Sequence, residues 1–578
     1  TKTAKFNLGT LQFPKPVYLA GSANSPRSWG GSGTLYLNVG DRAGDRNIGV
    51  NDTSEAYYVE DLGRYSGGGR IIKVSAFGRS NVINGVSRII ANFGDGNDLV
   101  FLGRSVPGGD GSVSGIPTIP IEVDMGSGND GVSYGGSSTV TINAGSGDDY
   151  IEIVGTGSAT VDAGSGNDFI IHNVQNGIAG SAVINGGSGI DKIIGGISTD
   201  QIYGDEGDDD ISGPAKRIDA GSGADLVTFE MEDQLIDSHI SLGGNSSDQL
   251  DLWGTVGNDQ VMIEEKGAQL GVGFGDYELT IDGVKVFQLY GAAGSAEVKI
   301  DGVKTTGLDQ FTIDLGQRLI QQGTTTETET IGSGDEAQTF TREIPNYVFN
   351  PDGASDSIVF VGSSLNDDFA ISSSGQIEGG GYTSFDVRAS GNLNYRVTIE
   401  NSIRSEGDQL TLQSLAGDDR LDASTLVVND LIAVVLEGGE GDDRLIGSPF
   451  NDTLKGGTGS DTFTGGQGLD LFFDSSTDAS DEDVLIESND LDVMITDSTF
   501  ITGNIVGDGL IQIVTVQDGL DKVESQRITS TLGSGSFKLT YNSQTTDDIS
   551  YNAKAEKVEE ALKKLSSTED LRAVSYTQ

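Results

Sequence analysis

The chain has 578 residues, of which 86 are glycine, 35% are hydrophobic and none is cysteine. Its 35 basic and 87 acidic residues give a formal net charge of -52, which argues against nucleic acid and anionic membranes as partners, because phosphate binding needs clustered Lys and Arg. The lack of cysteine excludes disulfides, thiolate metal sites and cysteine nucleophiles, and no apolar run is long enough to predict a membrane span.

We expect six regions in chain order, and the first is a β-rich stretch whose opening residues lack the apolar segment of a secretion signal. The hydrophobic content suits a thin, repetitive architecture rather than a large α/β enzyme. The predicted regions are an N-terminal β region (1–90), a first solenoid (91–230), a degenerate β module with a linker (231–345), a second degenerate β module (346–437), a nonapeptide block (438–480) and a C-terminal module (481–578).

In the first solenoid a motif recurs at intervals near 19 residues. The octet Ala144-Gly-Ser-Gly-Asp-Asp-Tyr-Ile151 returns as Ala163-Gly-Ser-Gly-Asn-Asp-Phe-Ile170, and looser copies end at Asp98, Asp130 and Asp225. Short runs of alternating apolar residues, such as Thr139–Ile142, separate the copies. Alternation between Gly-Asp clusters predicts strands and tight turns. The spacing therefore predicts one coil of a parallel β-solenoid per repeat.

Two stretches follow a strict nine-residue period. Residues 186–212 place Asp191, Asp200 and Asp209 nine apart, and residues 438–473 do the same for Asp443, Asp452, Asp461 and Asp470. Each unit predicts a six-residue turn followed by a three-residue strand, so two units complete one coil. Side chains nine apart then lie on opposite edges, while Asp191 faces Asp209, Asp443 faces Asp461 and Asp452 faces Asp470.

This arrangement predicts calcium sites. Glycines permit the positive φ angles that aim carbonyl groups inward, and Ca²⁺ takes six to eight hard oxygen ligands. The alternative is that each Asp only caps its own turn. The turns that end at Asp200 and Asp452 lack glycine at position four, so the sequence does not decide their conformation. The predicted ligands are Asp98, Asp130, Asp149, Asp168, Asp191, Asp200, Asp209, Asp225, Asp443, Asp452, Asp461 and Asp470.

The strict units, written G-G-x-G-x-D-x-aliphatic-x, closely resemble the RTX (hemolysin-type) nonapeptide. The resemblance implies a right-handed all-β roll or solenoid, several Ca²⁺ ions between stacked turns, and repeats that fold only when calcium is present. It also implies a secreted, extracellular or cell-surface protein. The aliphatic residues at position eight are expected to fill the thin core: Ile193, Ile211, Leu445, Leu454, Phe463 and Phe472.

The remaining regions are less regular. Gly254–Asp259 and Gly362–Asp367 open segments that resemble the irregular β modules accompanying hemolysin-type repeats, and we expect them to continue the solenoid with calcium-poor coils. Residues 320–345 are polar and predict a loop or linker. The C-terminal region resembles a small module repeated in giant extracellular proteins, with a hairpin at 536–545 and a helix over 553–566, which suggests a segment of a longer polypeptide.

No catalytic constellation is evident. His172 and His239 are the two histidines, and no G-x-S-x-G, H-E-x-x-H or P-loop motif occurs. We therefore expect a non-catalytic structural or adhesive protein that contacts other copies, cell-surface proteins or polysaccharide. The alternative is a polysaccharide-active β-helix enzyme, a lyase or epimerase, in which paired carboxylates act with Lys, Arg or Tyr.

Overall fold

Nearly all regular secondary structure in the computed structural model is β-strand, and the chain divides into two compact units: residues 1–250 with 322–346, and residues 251–321 with 347–578. Short 3₁₀ helices occur at Gly40–Arg46 and Arg404–Glu406. The residues it describes are 18–21, 33–46, 54–103, 117–173, 180–231, 236–255, 257–291, 295–303, 307–315, 318–331, 338–350, 354–376, 382–391, 393–427, 431–468, 470–473, 484–488, 492–495, 499–503, 510–514, 527–530, 536–537, 540–541, 544–545, 549–550, 557, 560 and 564.

Most of the strands up to residue 253 are short, as expected for a solenoid coil. They are β1 (Ala20–Gly21), β2 (Gly33–Leu37), β3 (Ala56–Arg64), β4 (Arg70–Ala76), β5 (Arg79–Asn92), β6 (Leu99–Leu102), β7 (Ile121–Asp124), β8 (Gly131–Tyr134), β9 (Val140–Ser146), β10 (Tyr150–Ile153), β11 (Ala159–Ser165), β12 (Phe169–His172), β13 (Ala182–Ser188), β14 (Lys192–Ile194), β15 (Gln201–Glu206), β16 (Asp210–Ser212), β17 (Arg217–Asp219), β18 (Leu226–Glu230), β19 (Ser238–Ser241) and β20 (Gln249–Trp253).

Two parallel ladders build the solenoid of the first unit. The first ladder stacks every second strand from β5 to β19. The second stacks β3 on β6 and then every second strand from β6 to β18. Each coil therefore gives one strand to each ladder and has two turns. We call the turns that lead from the first ladder into the second edge one, and the return turns edge two.

The aliphatic residues that the repeat predicts to point inward form the core. Ile151, Ile170, Ile193 and Ile211 stand in register on consecutive strands of the second ladder, and all four side chains are fully buried. Burying an aliphatic side chain of this size stabilises a fold by roughly 1.5–3 kcal/mol. Leu445, Leu454, Phe463 and Phe472 are buried in the same way in the second unit, so the position-eight prediction is confirmed.

The strands that follow residue 253 are β21 (Gln260–Lys266), β22 (Gln269–Phe274), β23 (Tyr277–Asp282), β24 (Val286–Tyr290), β25 (Glu297–Asp301), β26 (Gln310–Asp314), β27 (Arg318–Ile331), β28 (Gln338–Asn350), β29 (Ser357–Val361), β30 (Asp367–Gln376), β31 (Tyr382–Gly391), β32 (Tyr395–Glu400), β33 (Gln409–Gln413), β34 (Arg420–Thr425), β35 (Ala433–Glu440), β36 (Arg444–Ile446), β37 (Asp452–Thr458), β38 (Thr462–Thr464), β39 (Leu471–Phe473), β40 (Val484–Ser488), β41 (Asp492–Ile495), β42 (Thr499–Gly503), β43 (Leu510–Val514), β44 (Arg527–Ser530), β45 (Ser536–Phe537), β46 (Thr540–Tyr541), β47 (Gln544–Thr545) and β48 (Ile549–Ser550).

The second unit contains a solenoid of the same kind. One parallel ladder runs through β21, β25, β29, β33, β35, β37 and β39. The other runs through β30, β34, β36, β38 and β40. Antiparallel excursions, β21–β22–β23 and β30–β31–β32, interrupt the coils. The two degenerate modules therefore continue the solenoid, as predicted. Edge one here joins the first of these ladders to the second, and edge two returns.

The linker predicted at 320–345 is wrong. β27 and β28 occupy most of this segment and pair in a sheet of their own. The prediction weighed polarity and overlooked the alternation Thr326-Glu-Thr-Glu-Thr330, in which β-branched residues recur with the period of a strand.

The C-terminal hairpin prediction is confirmed, because Thr540 pairs with Thr545 and Tyr541 with Gln544 in antiparallel register. The helix predicted over 553–566 lies outside the described residues except for Lys557, Glu560 and Lys564, and the first two have helical backbone. Among the described residues, no helix is long and apolar enough to cross a membrane.

Candidate metal sites

A column of buried aspartates runs along edge one of the first unit. In each turn the last residue is an Asp whose backbone N–H donates to Oδ1 of the equivalent Asp in the next coil. These N–H to Oδ1 distances are 2.6 Å from Asp98 to Asp130, 2.7 Å from Asp130 to Asp149, 2.8 Å from Asp149 to Asp168 and from Asp168 to Asp191, 2.9 Å from Asp191 to Asp209, 3.0 Å from Asp209 to Asp225 and 3.3 Å from Asp225 to Asp248. The predicted stacking of Asp191 on Asp209 is confirmed.

The second carboxylate oxygen of these residues has a different environment. Oδ2 is buried and accepts no hydrogen bond in Asp130, Asp149, Asp168, Asp191, Asp209 and Asp225. None of these six residues exposes more than 2% of its surface. A buried anionic oxygen without a donor is strongly unfavourable unless a cation or proton neutralises it.

The turns of this column that end at Asp98 and onward to Asp225 share one backbone conformation. The residues at positions two and four both have positive φ, for example +109° at Gly187 and +136° at Gly189, and +107° at Gly164 and +132° at Gly166. We call a turn with this pair of positive φ angles an open turn. The open turns of edge one in the first unit end at Asp98, Asp130, Asp149, Asp168, Asp191, Asp209 and Asp225.

Edge one of the second unit has a shorter column of the same type. The N–H of Asp367 donates to Oδ1 of Asp419 at 2.6 Å, that of Asp419 to Asp443 at 2.8 Å, and that of Asp443 to Asp461 at 2.9 Å. The turns that end at Asp419, Asp443 and Asp461 are open. Oδ2 of Asp443 is buried without a hydrogen-bond donor, while a hydrogen bond from the Ser414 side chain opposes the burial that raises the pKa of Asp419. Asp419 was not predicted, although Gly417-Asp-Asp419 repeats the Gly-x-Asp ending of the motif.

Edge two differs in how its carboxylates are bonded. Oδ2 of Asp200 accepts the N–H groups of Gly196 (3.0 Å) and Ile197 (3.2 Å) and lies 2.7 Å from Nδ1 of His172. Its Oδ1 accepts the N–H of Ala182 at 2.8 Å. His172 is buried, so it belongs to the solenoid wall. Asp200 therefore lies on the edge opposite Asp191, and both of its carboxylate oxygens accept hydrogen bonds from within the chain.

Asp452, also on edge two, is bonded by its own turn. Its Oδ2 accepts the N–H of Ser448 at 2.6 Å and the Ser448 hydroxyl at 2.8 Å. Its N–H donates to Oδ1 of Asp470 at 2.9 Å, which confirms the predicted stacking of these two residues. None of the turn residues Gly447–Asp452 has positive φ. We call a turn whose Ser or Thr at position two bonds the final Asp a closed turn.

Two more closed turns open the degenerate modules. Ser363 donates its N–H to Oδ2 of Asp367 at 2.6 Å, and Thr255 donates its N–H to Oδ2 of Asp259 at 2.8 Å. The Thr255 hydroxyl also bonds Asp259, at 2.6 Å. Sequence alone carries the signal, since Ser or Thr replaces the glycine of position two in Gly-[Ser/Thr]-x-x-Asn-Asp, although the Asp259 turn keeps Gly257 at position four.

The family model for the RTX calcium-binding nonapeptide repeat matches the chain in four copies, at residues 176–211 and 437–472. The chain contains RTX calcium-binding repeats. No curated protein and no solved structure matches the chain significantly. The matched segments include Asp191, Asp209, Asp443 and Asp461, and the aspartate columns extend beyond them on edge one. The protein is thus a calcium-binding repeat protein with a solenoid fold.

A second, exposed ladder stabilises the RTX turns and was not predicted. The residue before the final Asp is often Asn or Asp, and its side-chain oxygen accepts the N–H of the same position in the next coil. Asn129 Oδ1 accepts from Asp148 at 3.1 Å, and Asp148 Oδ1 accepts from Asn167 at 2.8 Å. Asp418 accepts from Asp442 at 3.1 Å in the second unit. The two residues of each Asn-Asp or Asp-Asp pair in the motif therefore have separate roles: the first forms the exposed ladder and the second forms the buried column.

Burial raises the pKa of the column aspartates. Desolvation is the largest cause, and neighbouring carboxylates add to it, while the hydrogen bond from the previous coil acts in the opposite direction. The pKa of Asp130 and of Asp149 rises to about 8, and that of Asp168, Asp209 and Asp443 to about 7. The pKa of Asp191 and Asp419 is also raised. A nearby cation would remove this penalty.

The donor set fits calcium. A Cβ placed on Gly438 would lie 2.2 Å from Asp443 Oδ2 and 2.7 Å from the carbonyl oxygen of Gly456, so a carboxylate and a carbonyl of the next coil converge beside this glycine. The same holds at Gly186, at 2.5 Å from Asp191 Oδ2 and 3.0 Å from the Gly204 carbonyl. In the described residues no group of three acidic or histidine side chains forms a metal cluster. The further ligands would be backbone carbonyls, which suit Ca²⁺ better than Mg²⁺.

Proposed function

We propose that the protein is an extracellular structural or adhesive solenoid whose coils become stable when calcium enters its edge-one columns. It would act as part of a surface layer, fibre or adhesin. The observation that carries the proposal is the set of buried Oδ2 atoms without donors on stacked coils.

The electrostatics of the column support calcium-dependent folding. The carboxylates of adjacent coils are close enough to raise one another's pKa, as Asp98 and Asp149 do for Asp130. Ionised and without metal, they repel each other and lack solvation, so the folded state is disfavoured. A divalent cation between two coils reverses both effects. Because it binds the folded state and has no preformed site in the unfolded chain, its binding free energy stabilises the fold.

The same argument supports a location outside the cell. Extracellular calcium modules work at dissociation constants of roughly 10⁻⁴–10⁻³ M. Calcium in the cytosol is far below that range, so the acidic repeats would stay unfolded and exportable until they reach the exterior. The net charge of -52 adds to the repulsion that calcium must overcome.

A non-catalytic role is part of the proposal. The buried His172 is bonded to Asp200 and has no access to a substrate. A cleft of about 240 Å³ in the second unit is lined by Tyr290, Asp314 and Glu400 among others. Burial and the carboxylates Asp251, Asp314 and Glu400 raise the pKa of Tyr290 to about 12, which disfavours a tyrosinate base at neutral pH.

Circular dichroism of the full chain tests calcium-dependent folding. We expect a weak β signal in excess EDTA and a strong one after Ca²⁺ is restored in excess. Mg²⁺ at the same concentration is the control and should restore little, because it demands a smaller octahedral site. A β signal that is the same with and without chelator would contradict the proposal.

A further inference from the structure

The open turns of edge one and the edge-two turns of Asp200 and Asp452 bond the final Asp in opposite ways, while the edge-one turn of Asp367 is closed like that of Asp452. On edge one, Oδ2 is left without a donor in Asp149, Asp191 and Asp443 although each side chain is almost fully buried. On edge two, Asp200 and Asp452 are equally buried, yet their Oδ2 atoms accept two N–H groups or an N–H and a hydroxyl.

The strict nine-residue period hides this contrast. Asp443 and Asp452 lie nine apart in one uninterrupted block, and both have a neighbouring carbonyl beside the first glycine of the turn. A Cβ on Gly447 would lie 2.4 Å from the Gly465 carbonyl and 2.8 Å from Asp452 Oδ2, close to the arrangement at Gly438. The difference is what bonds the carboxylate: Ser448 donates to Asp452, whereas the equivalent position in the Asp443 turn is Gly439.

The two kinds of bonding exclude each other. The hydroxyl and N–H of Ser448 satisfy Oδ2 of Asp452 by hydrogen bonds and oppose the burial that raises the pKa of Asp452 to about 7, so a metal would have to displace both bonds to bind there. The open turn of Asp443 cannot do the same. A Cβ on Gly439, where φ is +115°, would lie 2.1 Å from the Leu415 carbonyl oxygen, so no hydroxyl side chain fits there.

We propose that calcium binds only at edge one of each solenoid, between stacked open turns, and that hydrogen bonds from Ser448, or from His172 and its neighbouring amides, replace the metal at edge two. Seven stacked open turns in the first unit leave six gaps, and three in the second leave two. The gaps include Gly-Ser-Gly turns outside the segments that the family model matches. Asp470 ends an open turn but stacks on the closed turn of Asp452, so its gap holds no ion. The inference rests on the proposed function.

Matched Asp→Asn variants of the full chain test it. Asn keeps an oxygen that can accept the N–H of the previous coil but removes the charge. Asp443→Asn and, in the other unit, Asp168→Asn should each bind fewer ions than the unaltered chain. Asp452→Asn and Asp200→Asn should bind the same number. Ions per chain are counted by native mass spectrometry and by equilibrium dialysis in saturating calcium, and circular dichroism checks that each variant folds.

A gain-of-site variant makes the test independent of any loss of folding. Ser448→Gly combined with Phe450→Gly rewrites the turn as Gly-Gly-Pro-Gly-Asn-Asp, the open pattern, and should bind one more ion than the unaltered chain. If the edge-two variants release as many ions as Asp443→Asn, or if the double variant gains none, the inference is wrong while the proposed function stands. An unaltered chain that binds no calcium would instead overturn the proposed function.

Discussion

Each column aspartate divides two tasks between its two oxygens. Oδ1 bonds the N–H of the previous coil and fixes the register, so it is needed whether or not metal is present. Oδ2 has no donor in the protein and is left for a cation or a proton in the following residues: Asp130, Asp149, Asp168, Asp191, Asp209, Asp225 and Asp443. Asp130 and Asp149 show the result most clearly, because their pKa of about 8 means that protonation is the available alternative to metal near neutral pH.

Without metal, acidification should therefore stabilise the solenoid. The folded-state pKa of Asp130 and Asp149 lies above the ordinary aspartate value of 3.8, so their contribution to stability is fully present below that value and is lost as the pH rises through about 8. In EDTA we expect the β signal at about pH 5.5 to exceed that at about pH 8. Working above the isoelectric point of about 4.1 limits precipitation.

The calcium-loaded chain provides the control for this titration. Protons compete with the metal for the same oxygen, so in calcium the dependence on pH should weaken or reverse. Asp130→Asn combined with Asp149→Asn should flatten the profile measured in EDTA. A metal-free chain that is most structured at about pH 8 would contradict the assignment of these carboxylates.

At the scale of the turn, glycine at position four is favoured by both conformation and space, whereas position two is Asp205 in one open turn and Leu415 in another, both with positive φ. Gly441 has φ +126°, and a Cβ there would lie 2.0 Å from the carbonyl oxygen of Gly417 in the previous coil. Stacked turns thus approach so closely that a methyl group would displace backbone. This close approach also brings the carbonyls of successive coils within reach of a shared cation.

The comparison of Gly441→Ala with Gly302→Ala separates space from backbone strain. Gly302 also has positive φ, +62°, but nothing lies within 4 Å of the position of its Cβ. We expect Gly302→Ala to cost about 1 kcal/mol through strain, and Gly441→Ala about 3 kcal/mol through strain and collision together. The measurement is guanidinium unfolding in saturating calcium. Equal costs would show that the coils do not pack as closely as described.

Sequence periodicity predicts the coils but not the bonding within each turn. The nine-residue period places Asp191 on Asp209 and Asp452 on Asp470, because coil length alone decides which turns stack. The period predicts the same role for Asp452 as for Asp443, because it contains no information on the Ser448 hydroxyl that bonds the Asp452 carboxylate. Ser or Thr at position two marks such turns, but only the structure shows which of its atoms bond the carboxylate.

Contacts between turns of unequal coils are harder to foresee. His172 and Asp200 are 28 residues apart, a separation that matches neither repeat, because Phe169 pairs with Lys192, 23 residues on, and because the two residues occupy different positions of the edge-two turn. The linker prediction for residues 320–345 was wrong for a different reason. The Thr residues of this segment favour strands, while its polarity and lack of a repeat suggested a linker.

At the scale of the molecule, calcium-dependent turns cover only part of each unit. In the second unit, residues 260–314 precede the first open turn, which ends at Asp419. This part is held by antiparallel pairing of β21, β22 and β23, by the stacked rings of Trp253 and Tyr290 (4.0 Å between centroids) and by the buried pair Phe287 and Phe311. Its turn at Asp259 is closed by Thr255. None of these contacts involves a carboxylate that lacks a donor.

Chelation should therefore loosen each unit locally rather than uniformly. Backbone amides in β8–β18 and in β34–β38 sit beside open turns and should exchange with deuterium much faster in EDTA than in calcium, because repulsion between ionised Oδ2 atoms opens those coils. Amides of β21–β26 should keep most of their protection. Hydrogen exchange read by mass spectrometry gives both groups in one experiment, with the second as internal control. Equal loss of protection in the two groups would mean that the closed turns also depend on metal, since nothing else in β21–β26 responds to a chelator.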